Sequence, residues 1–154
     1  MSIFHSMNTT ASALTAQRLR MDVISSNIAN VDTTRAKQVN GEWEPYRKKS
    51  ITLKENEGQF SNFLNMAMGK TVKAGVGNGV KVTSIKEDTE TPFKLVYDPT
   101  HPDANVDGYV QMSNVDLLKE MVDLISASRS YEANITAFNA NKSMLTKALE
   151  IGKG

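Results

Sequence analysis

One stretch of acidic and amide residues has the spacing of a calcium-binding loop. Residues 103–108 read Asp-Ala-Asn-Val-Asp-Gly, which matches the D-x-N-x-D-G opening of an EF-hand, and Val110 stands where that loop needs an apolar residue. The twelfth position requires a bidentate Glu but is Asn114, and Pro99 and Pro102 occupy the place of the incoming helix. Without that carboxylate the loop lacks ligand oxygens and a charge, so we interpret it as a structural turn.

Two further groups of residues could do chemistry, and neither completes a recognised site. Residues 75–79 (Gly-Val-Gly-Asn-Gly) could cradle a phosphate, but residues 80–82 (Val-Lys-Val) predict a strand where a P-loop needs Lys-Ser/Thr and a helix. His101 stands near Asp98 and Asp103 and could act as an acid or base, but we interpret it as a packing or hydrogen-bonding residue. The sequence therefore predicts no enzyme, no small-molecule substrate, no metal site and no cofactor.

Length, charge, cysteine content and hydropathy limit the class of protein to which the chain can belong. The chain has 154 residues, a net charge of +1 and no cysteine. This length suits one domain or a small domain with extensions. The charge balance argues against a nucleic-acid partner, and we interpret the densest basic run, residues 47–49, as a solvated face. Residues 1–14 lack the pattern of a signal peptide and no stretch approaches the ~20 apolar residues of a membrane span, so we expect no membrane insertion and no cleaved signal.

The N-terminal segment is predicted to be a long amphipathic helix. Residues 3–31 contain no Gly or Pro, and apolar side chains recur at heptad spacing in a coiled-coil-like seam. The seam is weak, because Thr10, Gln17 and Arg18 interrupt it. Its apolar members are Met7, Leu14, Met21 and Ile28, with Ala11, Ile24 and Val31 in the companion row.

The C-terminal segment is predicted to be a second and longer helix. Ser113 and Asp116 resemble a capping box, and residues 115–151 contain no Gly or Pro. A helix of that length would span roughly 55 Å, more than a small domain buries by itself, so it needs the N-terminal helix, another subunit or both as a partner. Its stripe comprises Leu117, Met121, Leu124, Ser128, Tyr131, Ile135, Phe138, Lys142, Leu145 and Leu149.

The middle of the chain is predicted to be irregular and β-containing. Strands are expected within residues 46–53, 80–82 and 93–97, and a short helical or collapsed segment within residues 60–68. The predicted fold is therefore α+β and mainly α, with the two terminal helices pairing as a coiled-coil-like rod domain. The predicted segments are residues 1–34 (N-terminal helix), 35–112 (middle) and 113–154 (C-terminal helix, packed on the first).

The ends of the chain carry motifs of a known family. Residues 25–34 (Ser-Ser-Asn-Ile-Ala-Asn-Val-Asp-Thr-Thr) contain an Asn-x-x-Asn-x-x-Thr motif. Residues 114–116 (Asn-Val-Asp), 130–134 (Ser-Tyr-Glu-Ala-Asn) and 144–149 complete a C-terminal pattern. Together they resemble the terminal motifs of bacterial flagellar axial proteins, the family of rod, hook and hook-associated subunits.

The loop before the last strand is similar to that of proximal-rod subunits in particular. It reads Asp-Pro-Thr-His-Pro at residues 98–102 and Gly-Tyr-Val at residues 108–110. One departure stands at residues 35–36, where Arg-Ala replaces the Gly-aromatic pair of many family members. The turn geometry of the family therefore does not carry over to that position.

The resemblance implies a structural subunit of the proximal rod of the flagellar basal body. Such subunits polymerise through their terminal helices into the tubular shaft that transmits motor torque to the hook. It implies as partners other rod subunits, further copies of the chain and the flagellar type III export apparatus. The assembly interface that it implies comprises Leu14, Met21, Ile24, Asn27, Ile28, Asn30, Leu117, Met121, Leu124, Tyr131, Asn134, Ile135, Phe138, Leu145 and Leu149.

Two alternatives remain open from the residues alone. Phe60 and Leu64 resemble the export-gate motif of rod and hook subunits, but the same pair suits a local apolar cluster. The terminal helices also suit a helical adaptor or secreted interaction protein that binds one partner. Concentration-dependent oligomers would distinguish the tube from the adaptor.

Overall fold

The computed structural model describes residues 4–56, 64, 67–69 and 77–152. Long helices stand at the two ends of the described chain and short two-stranded sheets lie between them in sequence, which confirms the α+β class. Phe60 and most of the predicted segment 60–68 lie outside the described residues. The elements are α1 (His5–Ala29), β1 (Lys37–Val39), β2 (Glu42–Glu44), β3 (Lys49–Glu55), β4 (Val80–Glu87), β5 (Lys94–Tyr97), β6 (Tyr109–Met112) and α2 (Leu117–Ile151).

The chain forms two compact units that interleave in sequence. The first unit comprises residues 1–18, 53–83 and 129–154, and the second unit comprises residues 19–52 and 84–128. In the described part of the chain, neither helix contains an apolar stretch that could cross a lipid bilayer.

In the first unit, α1 packs closely on the chain that enters β4. Thr9 donates its hydroxyl to the Gly77 carbonyl at 2.9 Å, and Ser12 Oγ accepts the Val80 N–H at 3.1 Å. Gly79 has φ of +84°, and a Cβ built there would lie 2.3 Å from Ser12 Oγ. Gly79, the last residue of the glycine-rich segment considered above as a phosphate cradle, thus lets the backbone lie close to α1. Only a residue without a side chain permits this distance.

In the second unit, the sheets are short antiparallel ribbons. β1 and β2 form a hairpin whose turn, Asn40-Gly41, has positive φ at both positions, as a type I′ turn requires. β5 pairs with β6 so that Val96 faces Val110, which is buried. The hairpin was absent from the sequence prediction, although its Asn-Gly dipeptide is a strong hairpin signal.

The start of α2 differs from the predicted capping box. Asp116 is itself the N-cap, because its Oδ1 accepts the N–H groups of Leu118 at 3.1 Å and Lys119 at 3.4 Å. Ser113 lies three residues earlier and is buried, and its hydroxyl accepts the Val115 N–H. The capping-box prediction was therefore wrong in its partners but right in placing the helix start within the same few residues.

The core of the second unit is as polar as it is apolar. Its buried apolar residues are Ile24, Tyr46, Val110, Val115 and Ala127, and its buried polar residues are Asn27, Ser113, Asn114 and Glu120. Buried polar groups cost free energy unless they are hydrogen-bonded, so this core depends on how well those groups are paired.

Candidate functional site: a buried polar cluster between the terminal helices

Asn27, the first Asn of the N-terminal motif, uses its full hydrogen-bonding capacity. Its Nδ2 donates to Glu120 Oε2 and to the Lys49 carbonyl, each at 2.9 Å. Its Oδ1 accepts the Tyr46 hydroxyl at 3.0 Å and the Lys49 N–H at 2.9 Å. A side-chain amide offers two donors and two acceptor sites, and all are occupied here. One buried side chain thus joins α1, the start of β3 and α2.

Glu120 brings a negative charge into this core. It is 1% exposed, and its Oε1 lies 2.5 Å from Lys48 Nζ in an ion-pair contact. The Lys48 side chain is only 20% exposed, so water screens the pair little. A buried carboxylate without a cation and donors would be strongly destabilising, and here Lys48 supplies the charge while Asn27 supplies a hydrogen bond.

Asn114, from the C-terminal motif, holds the other side of the same segment. Its Oδ1 accepts the Lys48 N–H at 2.7 Å, and its Nδ2 donates to the carbonyls of Asp88 and Thr91 at 3.1 and 3.2 Å. Asp88 in turn donates its N–H to the Lys48 carbonyl at 2.8 Å. We call Asn27, Tyr46, Lys48, Asn114 and Glu120 the polar cluster. It contains one Asn from each terminal motif.

The other members of the Asn-x-x-Asn-x-x-Thr motif close the end of α1. Asn30 Nδ2 donates to the Ser26 carbonyl at 2.8 Å, and its Oδ1 accepts the Thr33 hydroxyl at 3.2 Å. The Thr33 carbonyl then accepts the N–H of Tyr46 at 3.1 Å. The Ser26 carbonyl also accepts the Asn30 N–H at 3.2 Å, so Asn30 reinforces the last turn of α1 with a second hydrogen bond while Thr33 directs the chain toward the polar cluster.

In the loop that resembles an EF-hand, the first carboxylate accepts hydrogen bonds from neighbouring side chains. Asp103 accepts the Thr34 hydroxyl at 2.8 Å and Arg35 Nε at 2.6 Å, and its N–H is donated to His101 Nδ1. Hydrogen bonds from Arg35 and then Thr34 hold the pKa of Asp103 below its ordinary value. The Arg35 that departs from the family pattern therefore ties this loop to the chain that follows α1. Within the described residues, no group of three or more acidic or imidazole side chains is arranged to hold a metal ion.

The residues predicted for the assembly interface differ in exposure. Ile24 and Asn27 are buried in the isolated chain, and Asn27 belongs to the polar cluster. Leu117, Met121, Ile135 and Leu149 are exposed. Partly exposed are Leu14, Met21, Ile28, Asn30, Leu124, Tyr131, Asn134, Phe138 and Leu145. In the proposed export pair Leu64 is 47% exposed, and Phe60 lies outside the described residues.

The basic run at residues 47–49 is not the solvated face that we predicted. Lys48 pairs with Glu120, and the Arg47 guanidinium lies 4.3 Å from the centre of the Phe93 ring in a cation–π contact. Sequence reasoning also missed Glu120. The available signal was its place one helical turn before Leu124, in a row that otherwise holds apolar or small side chains.

We predict that Asn27→Ala lowers the free energy of unfolding by about 2–4 kcal/mol, because it leaves several buried groups without partners at once. Urea unfolding followed by circular dichroism measures the change. Asn8→Ala is the matched control, since Asn8 is exposed on the same helix as Asn27. An Asn27→Ala midpoint equal to that of the control would contradict the assigned role.

We also predict that Asp103 contributes to the loss of folding stability in acid. Its pKa is lower in the folded chain than the ordinary 3.8, so the unfolded chain binds more protons in acid. This stabilisation is present above the ordinary pKa and is lost as pH falls through the folded pKa. Asp103→Asn should therefore flatten the fall in melting temperature between neutral pH and pH ~3. Equal pH slopes for parent and Asp103→Asn would rule out the contribution.

Two family descriptions match the parts of the chain that carry this site. Residues 7–37 match the family described as "Flagella basal body rod protein". Residues 106–151 match "Flagellar basal body rod FlgEFG protein C-terminal". These ranges include residues 7–29 of α1, with its motif, and the whole of α2.

Similar proteins cover the whole chain. It is 65% identical to the flagellar basal-body rod protein FlgC of Bacillus subtilis, over 99% of this chain and 100% of that protein. It is 45% identical to FlgC of Borreliella burgdorferi over 100% of both chains, and 40% identical to FlgC of an Escherichia coli O6:H1 strain over 99% of this chain and 100% of that one. The resemblance carried by the terminal motifs is confirmed, and the chain belongs to the family of the flagellar basal-body rod protein FlgC.

Proposed function

We propose that the chain is a structural subunit of the flagellar basal-body rod. The similar proteins are named flagellar basal-body rod protein FlgC, and this chain matches them over their full length. The matched families cover the two terminal helices and the polar cluster residues Asn27, Asn114 and Glu120. The role is structural rather than enzymatic, and its place is the flagellar basal body.

The observation that carries this proposal is the apolar surface of the long C-terminal helix. α2 has 35 residues, which corresponds to about 52 Å. In the first unit its side chains Ile135, Met144, Leu149 and Ile151 are 37, 62, 71 and 81% exposed. Apolar side chains repeated along a helix and left in water mark an interaction surface. Neighbouring subunits would cover it.

The terminal helices are the parts that we propose polymerise into the tubular shaft of the proximal rod. Two polar contacts join α1 and α2 in the second unit: Asn27 with Glu120, and Arg20 with Asp123 at 3.6 Å. These contacts support a fixed pairing of the helices there, and a coiled-coil-like pairing over the rest of their length belongs to the proposal. Such a shaft transmits motor torque to the hook.

The proposed partners are other rod subunits, further copies of the chain and the flagellar type III export apparatus. Leu64 is accessible to an export receptor, and with Phe60 it forms the proposed export pair. An adaptor that binds one partner through the same helices is the alternative. The full-length likeness to rod proteins favours the subunit, and the number of copies per assembly distinguishes the two.

We predict that Tyr131→Asp and Ile135→Asp abolish rod assembly without abolishing expression. Each places a charge on the predicted apolar stripe of α2, where a neighbouring subunit would have to desolvate it. The variants are tested by rescue of motility and of flagella, seen by electron microscopy, in a strain that lacks the gene.

The control is Ser143→Asp, which adds the same charge to an exposed position whose neighbours on the helix surface include the polar residues Asn139, Thr146 and Lys147. It should restore motility. Normal flagella with Tyr131→Asp or Ile135→Asp would overturn the interface, and normal flagella in the deletion strain itself would overturn the rod function.

A further inference from the structure

The first turns of α2 carry an exposed apolar stripe on the side opposite their buried residues. Glu120 and Ala127 face the interior, each 1% exposed. Leu118, Val122 and Ile125 are 76, 66 and 60% exposed and follow the i, i+4, i+7 spacing of a single stripe. With ~3.6 residues per turn, this stripe lies on the side of the helix opposite Glu120 and Ala127. Large apolar side chains that repeat along one side of a helix and are exposed mark an interaction surface, so the stripe needs a cover.

The same unit carries a second exposed apolar surface. Leu95 and Tyr97 share one face of β5 and are 64 and 65% exposed, and the Tyr97 ring meets the Tyr109 ring at 5.3 Å. Tyr109, Phe93 and Trp43 also line a cavity of ≈ 580 Å³, and Trp43 is 55% exposed. We call these five residues the aromatic surface. It shares no residue with the helix stripe.

The charges beside the two surfaces are complementary. Three carboxylates line the cavity: Asp103 and Glu44 are each paired with an arginine, and Glu42 has no ionic partner among the described residues. Lys119, which is exposed and three residues before Val122, likewise has no ionic partner in the described part of the chain. The stripe thus has an adjacent free cation, and the aromatic surface has a free carboxylate.

We propose that the helix stripe of one copy docks on the aromatic surface of a second copy, with Lys119 directed at Glu42. The inference rests on the proposed rod function. A contact between two different patches is heterologous, so it repeats from copy to copy without closing into a symmetric dimer. A helical tube needs contacts of this kind. The spacing of Leu118, Val122 and Ile125 also suits a helix that binds in a groove through one apolar face.

The contact is too small to hold two copies together alone. Three aliphatic side chains and one ion pair bury far less than the ~1,200 Å² of a stable interface. It therefore adds to the contacts of the terminal helices and forms in the assembled rod rather than in dilute solution.

Site-directed cross-linking tests the pairing directly, because the natural chain has no cysteine. Asn40→Cys, at the cavity, and Lys119→Cys, beside the stripe, are co-expressed as two full-length chains in the deletion strain. Isolated basal bodies are treated with a short thiol-specific cross-linker. We expect a dimer that contains one chain of each kind, and no dimer when either variant is expressed alone. Thr89→Cys, exposed and outside both surfaces, replaces Asn40→Cys as the control and should give no dimer.

Charge reversal provides the second measurement. Glu42→Lys or Lys119→Glu alone should lower incorporation into basal bodies about tenfold, and the double reversal should restore it. A cross-linked dimer with Lys119→Cys alone would show a symmetric contact and overturn the proposal. So would the absence of any dimer although both variants are present in the basal bodies. Absence of the parent chain from basal bodies would instead overturn the rod function, and the proposal with it.

Discussion

The second unit depends on one buried hydrogen bond, from Asn27 of the N-terminal helix to Glu120 of the C-terminal helix. The bond is favourable because the Asn27 amide is also hydrogen-bonded to Tyr46 and Lys49, and because Lys48 balances the charge of the Glu120 carboxylate in an ion pair, although Glu120 Oε1 accepts no hydrogen bond. A hydrogen-bond network of this kind differs from an apolar contact in one respect. It is directional, so it permits one register of the helices and one path of the chain between them.

The two ends of α2 differ in how much of their surface is buried. Near its start the helix is fixed by Glu120 and Ala127, both buried. From Asn139 to Ile151 only Asn141 and Leu145 are even partly buried. A subunit with one fixed end and one uncovered end keeps its apolar surface for its neighbours. That suits the proposed rod subunit, whose helix end would gain most of its burial on assembly.

Much of the fold could be predicted from the sequence, and the reasons for success and failure are physical. The absence of Gly and Pro over 3–31 and 115–151, with apolar periodicity, was enough to predict both helices, and the terminal motifs were enough to predict the family. The polar cluster was not predictable, because hydrogen bonds between residues 27, 49 and 120 depend on which segments meet in space. Glu120 shows the difficulty: on a predicted helix a lone Glu is ordinarily a solvated residue, and only the approach of Lys48 and Asn27 makes it a core residue.

The polar cluster anchors the helices, and other subunits are proposed to cover the far end of α2. Hydrogen exchange of the full chain, first as a dilute monomer and then in isolated rods, tests this arrangement most directly. We expect strong amide protection at residues 24–29 and 118–127 in the monomer, and weak protection at residues 139–151 that rises sharply in the rod. Strong, even protection along α2 to Ile151 in the dilute monomer, or no gain in the rod, would contradict it.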